Sequence, residues 1–241
     1  MESVGGEPGG TLVLVHTVAP LIEEFARWCQ NLLPGVQTYH ILDEPLLERI
    51  RRHGRGGPED MLRLGQHIEL AASIGSDAVL VTCSTTSLLV DAIRGQFTLP
   101  VVKIDEAMAA EAVMSGPRIA LVATNHTTLE PSQALIRAAA TRAGREVQVT
   151  TFVVADALPA LLRGDEETHD REVARAIANA AARADVVVLA QASMARATAT
   201  VADRGLTVPV LSSPELALRQ VGRLLAGLSV NRSVELQTVR P

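Results

Sequence analysis

The chain repeats itself, and the repeat limits what it can fold into. Ser76-Asp-Ala-Val-Leu-Val-Thr-Cys83-Ser-Thr85 is matched by Ala184-Asp-Val-Val-Val-Leu-Ala-Gln191-Ala-Ser193, with Asp six positions before the strand-end residue in both. Upstream, Leu12-Val-Leu-Val-His-Thr17 is matched by Ile119-Ala-Leu-Val-Ala-Thr124. Thr17 stands 66 residues before Cys83, and Thr124 stands 67 before Gln191. Downstream, each copy leads through a helix-like stretch to a Pro-led strand, Leu99-Pro-Val-Val in one and Val208-Pro-Val-Leu in the other. Two motifs at one spacing indicate a duplicated unit of about 107 residues, too long for a solenoid repeat and right for a small domain.

Each half alternates short apolar β-branched runs with amphipathic stretches, a pattern that specifies parallel strands joined by right-handed crossovers. The expected fold class is α/β: two pseudo-symmetric, doubly wound lobes, each with a parallel four-stranded sheet, facing each other across an active-site cleft. The first lobe is expected over 11–114 and the second over 117–213. Ser115-Gly-Pro117 is the expected hinge, since Gly and Pro interrupt both patterns there. A helix over 214–228 is in a position to pack back on the first lobe. Residues 1–10 and 229–241 read as flexible tails. Arg51–Pro58, rich in Arg and Gly, reads as an exposed loop, and a helix is expected over Ser193–Arg204.

Composition narrows the partners. The 241 residues are 47% hydrophobic but only 2% aromatic, with a formal net charge of −5 at pH 7. Few aromatics leave little to stack nucleobases, and no basic patch or tail occurs, so neither nucleic acid nor a membrane is an expected partner. No apolar run reaches a spanning length and the first ten residues lack the parts of a signal peptide, so a cytoplasmic protein is expected. Its cysteines, Cys29 and Cys83, are then reduced, and two are too few for a disulfide framework or a Cys-rich zinc site. His16, His126 and His169 lack nearby acidic ligand spacing, so no metal is expected. Neither a phosphate-loop lysine motif nor a Gly-x-Gly-x-x-Gly pattern occurs, and no cofactor is expected.

Cys83 ends an apolar strand and passes at once into Ser84-Thr85-Thr86-Ser87 and a helix. The carboxyl edge of a parallel sheet is where such folds bind ligands. A helix start there favours an anion and a thiolate, so Cys83 is expected to be an accessible thiol of lowered pKa. Cys29 shares a helix face with Leu21, Phe25 and Leu32 and reads as core. Under a pseudo-twofold, Thr17, Cys83, Thr124 and Gln191 converge on one cleft. The substrate-binding candidates are Thr17, Ser84, Thr85, Thr86, Thr124, Asn125, His126, Thr127 and Ser193, a ring suited to a small carboxylate. Some of these hydroxyls serve equally well as helix N-caps. His126 and His16 are the candidates for a second acid/base, although strand alternation can turn His16 away from the cleft. His169 reads as a surface or supporting residue. Asp43 and Glu44 are read as ordering the loop after the second strand, with acid/base work as the other possibility.

The duplicated strand–Cys–Ser/Thr pattern resembles the aspartate/glutamate/hydantoin racemase superfamily from about Leu12 to Leu225. Cys83-Ser-Thr-Thr86 is similar to that family's first catalytic Cys and its hydroxyl-rich anion site. Thr17 and the Ala123–Thr128 stretch are similar to its other carboxylate-binding turns. In those racemases two cysteines flank the substrate, one taking the α-proton and the other returning one on the opposite face. Here the second position is Gln191, and an amide does not exchange protons in that way. The resemblance implies a cofactor-independent isomerase acting at the carbon α to a carboxylate or carbonyl of a small acid. Cys83 would be its acid/base or nucleophile, with Gln191 as its catalytic counterpart. The alternatives are a malonate-type decarboxylase using one Cys, which is a lyase, and a non-catalytic small-carboxylate-binding protein. A homo-oligomer is left open.

Overall fold

The structure is a computed structural model that describes residues 9–202 and 205–238. The first half runs β1 (Thr11–His16), α1 (Leu21–Leu32), β2 (Gln37–Leu42), α2 (Glu44–His53), α3 (Pro58–Ser73), β3 (Ala78–Val81), α4 (Ser87–Ile93), β4 (Val101–Lys103) and α5 (Glu106–Ser115). The second half runs β5 (Arg118–Ala123), α6 (Leu129–Ala143), β6 (Gln148–Val153), α7 (Ala157–Leu162), α8 (Glu166–Ala181), β7 (Val186–Leu189), α9 (Ala197–Ala202) and β8 (Val210–Leu211). A long α10 (Ser213–Thr238) follows. The strands form two four-stranded parallel sheets with orders β2-β1-β3-β4 and β6-β5-β7-β8. The same strand order twice is the duplication read from the sequence.

The central strands are apolar at nearly every position because both of their faces are covered. Leu12, Leu14 and Leu80 pack on Phe25 of α1 and on Leu218 and Val221 of α10. On the opposite face Val13, Val15, Val79 and Val81 meet Leu46 and Ile50 of α2, Leu64 and Ile68 of α3, and Val90 of α4. The second sheet repeats the arrangement. Ile119, Leu121, Val186 and Val188 pack on Met108 and Ala112 of α5 and on Leu135 and Ile136 of α6. Ala120, Val122, Val187 and Leu189 pack on Val173 and Ile177 of α8.

Two helices therefore cross over. α5, which the sequence grouped with the first lobe through residue 114, packs on the second sheet, and α10 packs back on the first. The chain passes between the two bodies at the β4–α5 and β8–α10 connections. The expected hinge, Ser115-Gly-Pro117, instead joins two elements of the second core. Gly116 sits there so close to Asp185 that an added Cβ would lie 2.5 Å from its Cβ.

The repeated Asp is structural. Asp77 Oδ2 accepts from Thr11 N at 2.7 Å and Asp185 Oδ2 accepts from Arg118 N at 2.8 Å. Each ties the start of its sheet's first central strand, at the edge remote from the cleft.

Three stretches differ from the sequence expectation. Arg51–His53 close α2 and are not loop; only the residues between His53 and Pro58 are. The helix expected over Ser193–Arg204 is a 3-10 turn, Ala192–Met194, followed by α9. The tail expected from 229 is helical to Thr238. Residues 1–8, 203–204 and 239–241 lie outside the described residues, so the expectations made for them are not addressed. Among the described residues no helix is long and apolar enough to cross a membrane.

Candidate active site

In each sheet the strand order reverses between the two central strands, and a crevice opens beyond their carboxyl ends. Thr17 follows β1 and Cys83 follows β3, where it opens a 3-10 turn, Ser84–Thr86. Thr124 follows β5, and Gln191 follows β7 and opens the turn Ala192–Met194. A cleft between the bodies is lined by Thr17, Cys83, Ser84 and Thr85 from one side and by Asn125, Thr128, Gln191 and Ser193 from the other. Val18, Leu21, Leu47 and Leu158 form its apolar wall. The free volume is about 40 Å³, room for a few water-sized groups.

Cys83 does not have the lowered pKa expected of it. Burial pushes the thiol up, and this outweighs hydrogen bonds from the Thr17 hydroxyl, the Thr85 and Thr86 N–H groups and the Thr85 hydroxyl. The helix start that was to favour the thiolate belongs to α4, only seven residues long, and the thiol is crowded by protein atoms although part of its surface is exposed, as the sequence led one to expect. Cys29 is core as expected, and burial pushes it up to about 11.

Gln191 is fixed at both ends. Its Oε1 accepts from Thr124 N at 3.0 Å, and its Nε2 donates to Thr128 Oγ1 at 2.8 Å. Thr128 Oγ1 in turn lies 3.2 Å from Thr85 Oγ1 on the other body. Two cleft hydroxyls, Thr17 Oγ1 and Ser84 Oγ, are buried without a close hydrogen bond, Thr17 lying toward the Cys83 sulfur and Ser84 toward Asp105. Buried polar groups in native proteins are nearly always paired, so hydroxyls held this loosely can turn to a ligand acceptor.

Several sequence candidates lie elsewhere. Thr86 is buried and spends its hydroxyl on Cys83 O at 2.7 Å, closing the turn. Thr124 and Thr127 stand behind the cleft wall, although the Thr124 N–H positions Gln191. Asn125 lines the cleft and caps the local turn by accepting from Thr127 N at 3.1 Å. Neither proposed second acid/base reaches the cleft. His126 is exposed. His16 points into the first core, where its Nδ1 is 3.0 Å from Thr82 Oγ1 and its Nε2 is 2.9 Å from His40 Nδ1. Burial, with His40 beside it, lowers His16 to about 3, so it is neutral at physiological pH. His169 is fully buried in α8 with its Nδ1 2.6 Å from Asp170, and is not at the surface. Asp43 caps α2 and also binds Arg63 and His67, in keeping with the ordering role.

Thr128 was read only as the end of the Ala123–Thr128 stretch and not singled out, though its position at the start of α6 was an available signal, and Asp105 was missed. Asp105 lies beneath the Cys83 turn, where Ser87 Oγ is 3.0 Å from both of its oxygens. Burial raises its pKa to about 6 in spite of Lys103 and Ser87. Its place just after β4, at the same sheet edge as Cys83, could have flagged it. Among the described residues no three His, Cys, Asp or Glu side chains group as metal ligands.

No curated protein sequence matches the chain. Among solved structures it resembles a glutamate racemase from Bacillus anthracis, with a TM-score of 0.70, 15% identity and coverage of 92% of this chain and 83% of that one. It also resembles the Picrophilus torridus aspartate racemase (TM-score 0.66, 14% identity, 90% and 99% covered) and an allantoin racemase from Klebsiella pneumoniae (0.62, 18%, 91% and 89%). At such identities these likenesses speak for the fold. The family model of Asp/Glu/hydantoin racemases matches residues 13–221, nearly the whole described chain. The chain belongs to the Asp/Glu/hydantoin racemase family.

Proposed function

We propose that this protein is a cofactor-independent isomerase of the racemase superfamily, acting at the carbon α to a carboxylate or carbonyl of a small acid by taking a proton there and returning it to the same face of the delocalised intermediate, with Cys83 as its acid/base. The supporting observation is the make-up of the cleft: one thiol on one sheet edge, a hydrogen-bonded amide at the duplicate position on the other, and buried hydroxyls without close hydrogen bonds. A carboxylate or carbonyl oxygen would accept from the Thr17 and Ser84 hydroxyls, and the same donors would stabilise the enolate-like intermediate. The raised pKa of Cys83 suits the task, since a thiolate formed there is a stronger base toward a C–H bond. Gln191 does not act as an acid or base at neutral pH, so proton transfer to and from carbon is confined to the Cys83 face. One-sided transfer also fits the second reading, decarboxylation of a malonate-type acid with protonation by Cys83.

The cleft bears on the substrate as well. Among its lining residues Cys83 alone ionises; Asp, Glu, Lys, Arg and His are absent. An ammonium group or a distal carboxylate would be desolvated there without a counter-ion. A ring amide such as a hydantoin, or a monocarboxylate with an apolar substituent against Leu47 and Leu158, fits better than an acidic amino acid. The test is a panel of hydantoins, alkylmalonates and amino acids incubated in deuterated water and read by NMR. Deuterium at the α carbon of the first or second group, and not of aspartate or glutamate, is expected. No exchange or turnover with any of the three would overturn the proposal.

A further inference from the structure

The proton positions in the cleft follow from the hydrogen bonds. The Thr124 N–H only donates, so the Gln191 oxygen is the atom that faces it and the amide nitrogen faces Thr128. Thr128 is fully buried, and its Oγ1 has two partners, Gln191 Nε2 and Thr85 Oγ1. It accepts from Gln191, so its own proton has one place to go, Thr85 Oγ1. The Thr85 hydroxyl then keeps its proton for the remaining partner, the Cys83 sulfur. The chain Gln191–Thr128–Thr85–Cys83 has a single direction, and its middle link crosses from one body to the other.

We propose that Thr128 is a positioning residue that turns the Thr85 hydroxyl proton onto Cys83 and so favours formation of the thiolate. This deepens the function proposed above and rests on Cys83 being its acid/base. It also gives the amide at 191 a role, since a thiol there could not accept from Thr124 N–H and donate to Thr128 with comparable strength.

The test needs no substrate. The pH dependence of iodoacetamide labelling at Cys83 is followed by peptide mass spectrometry, with buried Cys29 as the control for an intact fold. Its midpoint reports the thiolate, and looser access alone does not move it. Thr128→Val is expected to raise the midpoint by about half to one pH unit. Thr128→Ser, which keeps the hydroxyl, should retain the wild-type midpoint, and Gln191→Met should shift it in the same direction as Thr128→Val and no further. A Thr128→Val midpoint equal to wild type overturns the proposal, as does a Thr128→Ser shift as large as that of Thr128→Val. Deuterium exchange is read separately. A shifted midpoint without exchange on any substrate would sink the proposed function and leave the hydrogen-bond chain standing.

Discussion

At the scale of single residues, strand-end chemistry was legible and side-chain direction was not. Cys83 and Gln191 could be found because the repeat aligned them and because a polar residue ending an apolar strand is conspicuous. His16 ends a strand too, but it alternates with Thr17, and only its neighbours Thr82 and His40 show that it turns into the core. The pKa of Cys83 was misjudged for a related reason: a sequence shows the helix start but not how closely protein atoms crowd the thiol. Asp105 yields a prediction at this scale. Its folded-state pKa, about 6, lies above the unfolded value, so it contributes stability below about pH 4 that is lost as pH rises through 6. Asp105→Asn should match wild type near pH 4 and exceed it at pH 8 by on the order of 3 kcal/mol. Urea unfolding at the two pH values measures this; a difference independent of pH would mean that the carboxyl is already ionised without penalty.

At the scale of elements, strands were easier to read than helix ends. α2 was missed because Arg51, Arg52 and Gly54 look like loop, whereas Asp43-Glu44-Pro45 carries the N-cap and early-proline signature of a helix start. Asp43 is buried, which pushes its carboxyl up. The Arg63 and His67 side chains and the Leu46 N–H nonetheless hold it below the usual range. Its contribution is therefore present above the unfolded pKa and is lost as pH falls. Asp43→Ala should cost about 2 kcal/mol from pH 8 down to pH 5, with the cost shrinking from near pH 4. Chemical denaturation across that range tests it. Because α2 carries Leu47 to the cleft wall, the variant should also weaken substrate binding.

At the scale of the whole molecule, the duplication disclosed two like sheets, and the sequence placed the helix after residue 213 where it could pack back on the first. That α5 crosses to the second sheet depends on helix faces meeting far along the chain, which a local pattern does not record. A second tie between the bodies was invisible for the same reason. Arg196, five residues after Gln191, reaches Glu24 of α1 and also binds Asp170 at 3.1 Å. Glu24 is buried enough that its carboxyl is raised in spite of this partner. Arg196→Met would leave Glu24, Asp170 and Glu166 close together without their cation, at a cost of about 2 kcal/mol at pH 7 that diminishes as Glu24 protonates at lower pH. Thermal unfolding at pH 7 and pH 5 follows it, and a variant as stable as wild type at pH 7 would show that the pair does not hold the bodies together.

The central claim is that Cys83 moves a proton at one face of the substrate while Gln191 holds the other face without exchanging one. The most direct measurement resolves both enantiomers of a turned-over substrate, by chiral chromatography with mass detection, after brief incubation in deuterated water. The account predicts deuterium in one enantiomer only, lost in Cys83→Ala, with label entering the second enantiomer in Gln191→Cys. Label entering both enantiomers at similar rates in the wild type, or persisting in Cys83→Ala, would contradict it.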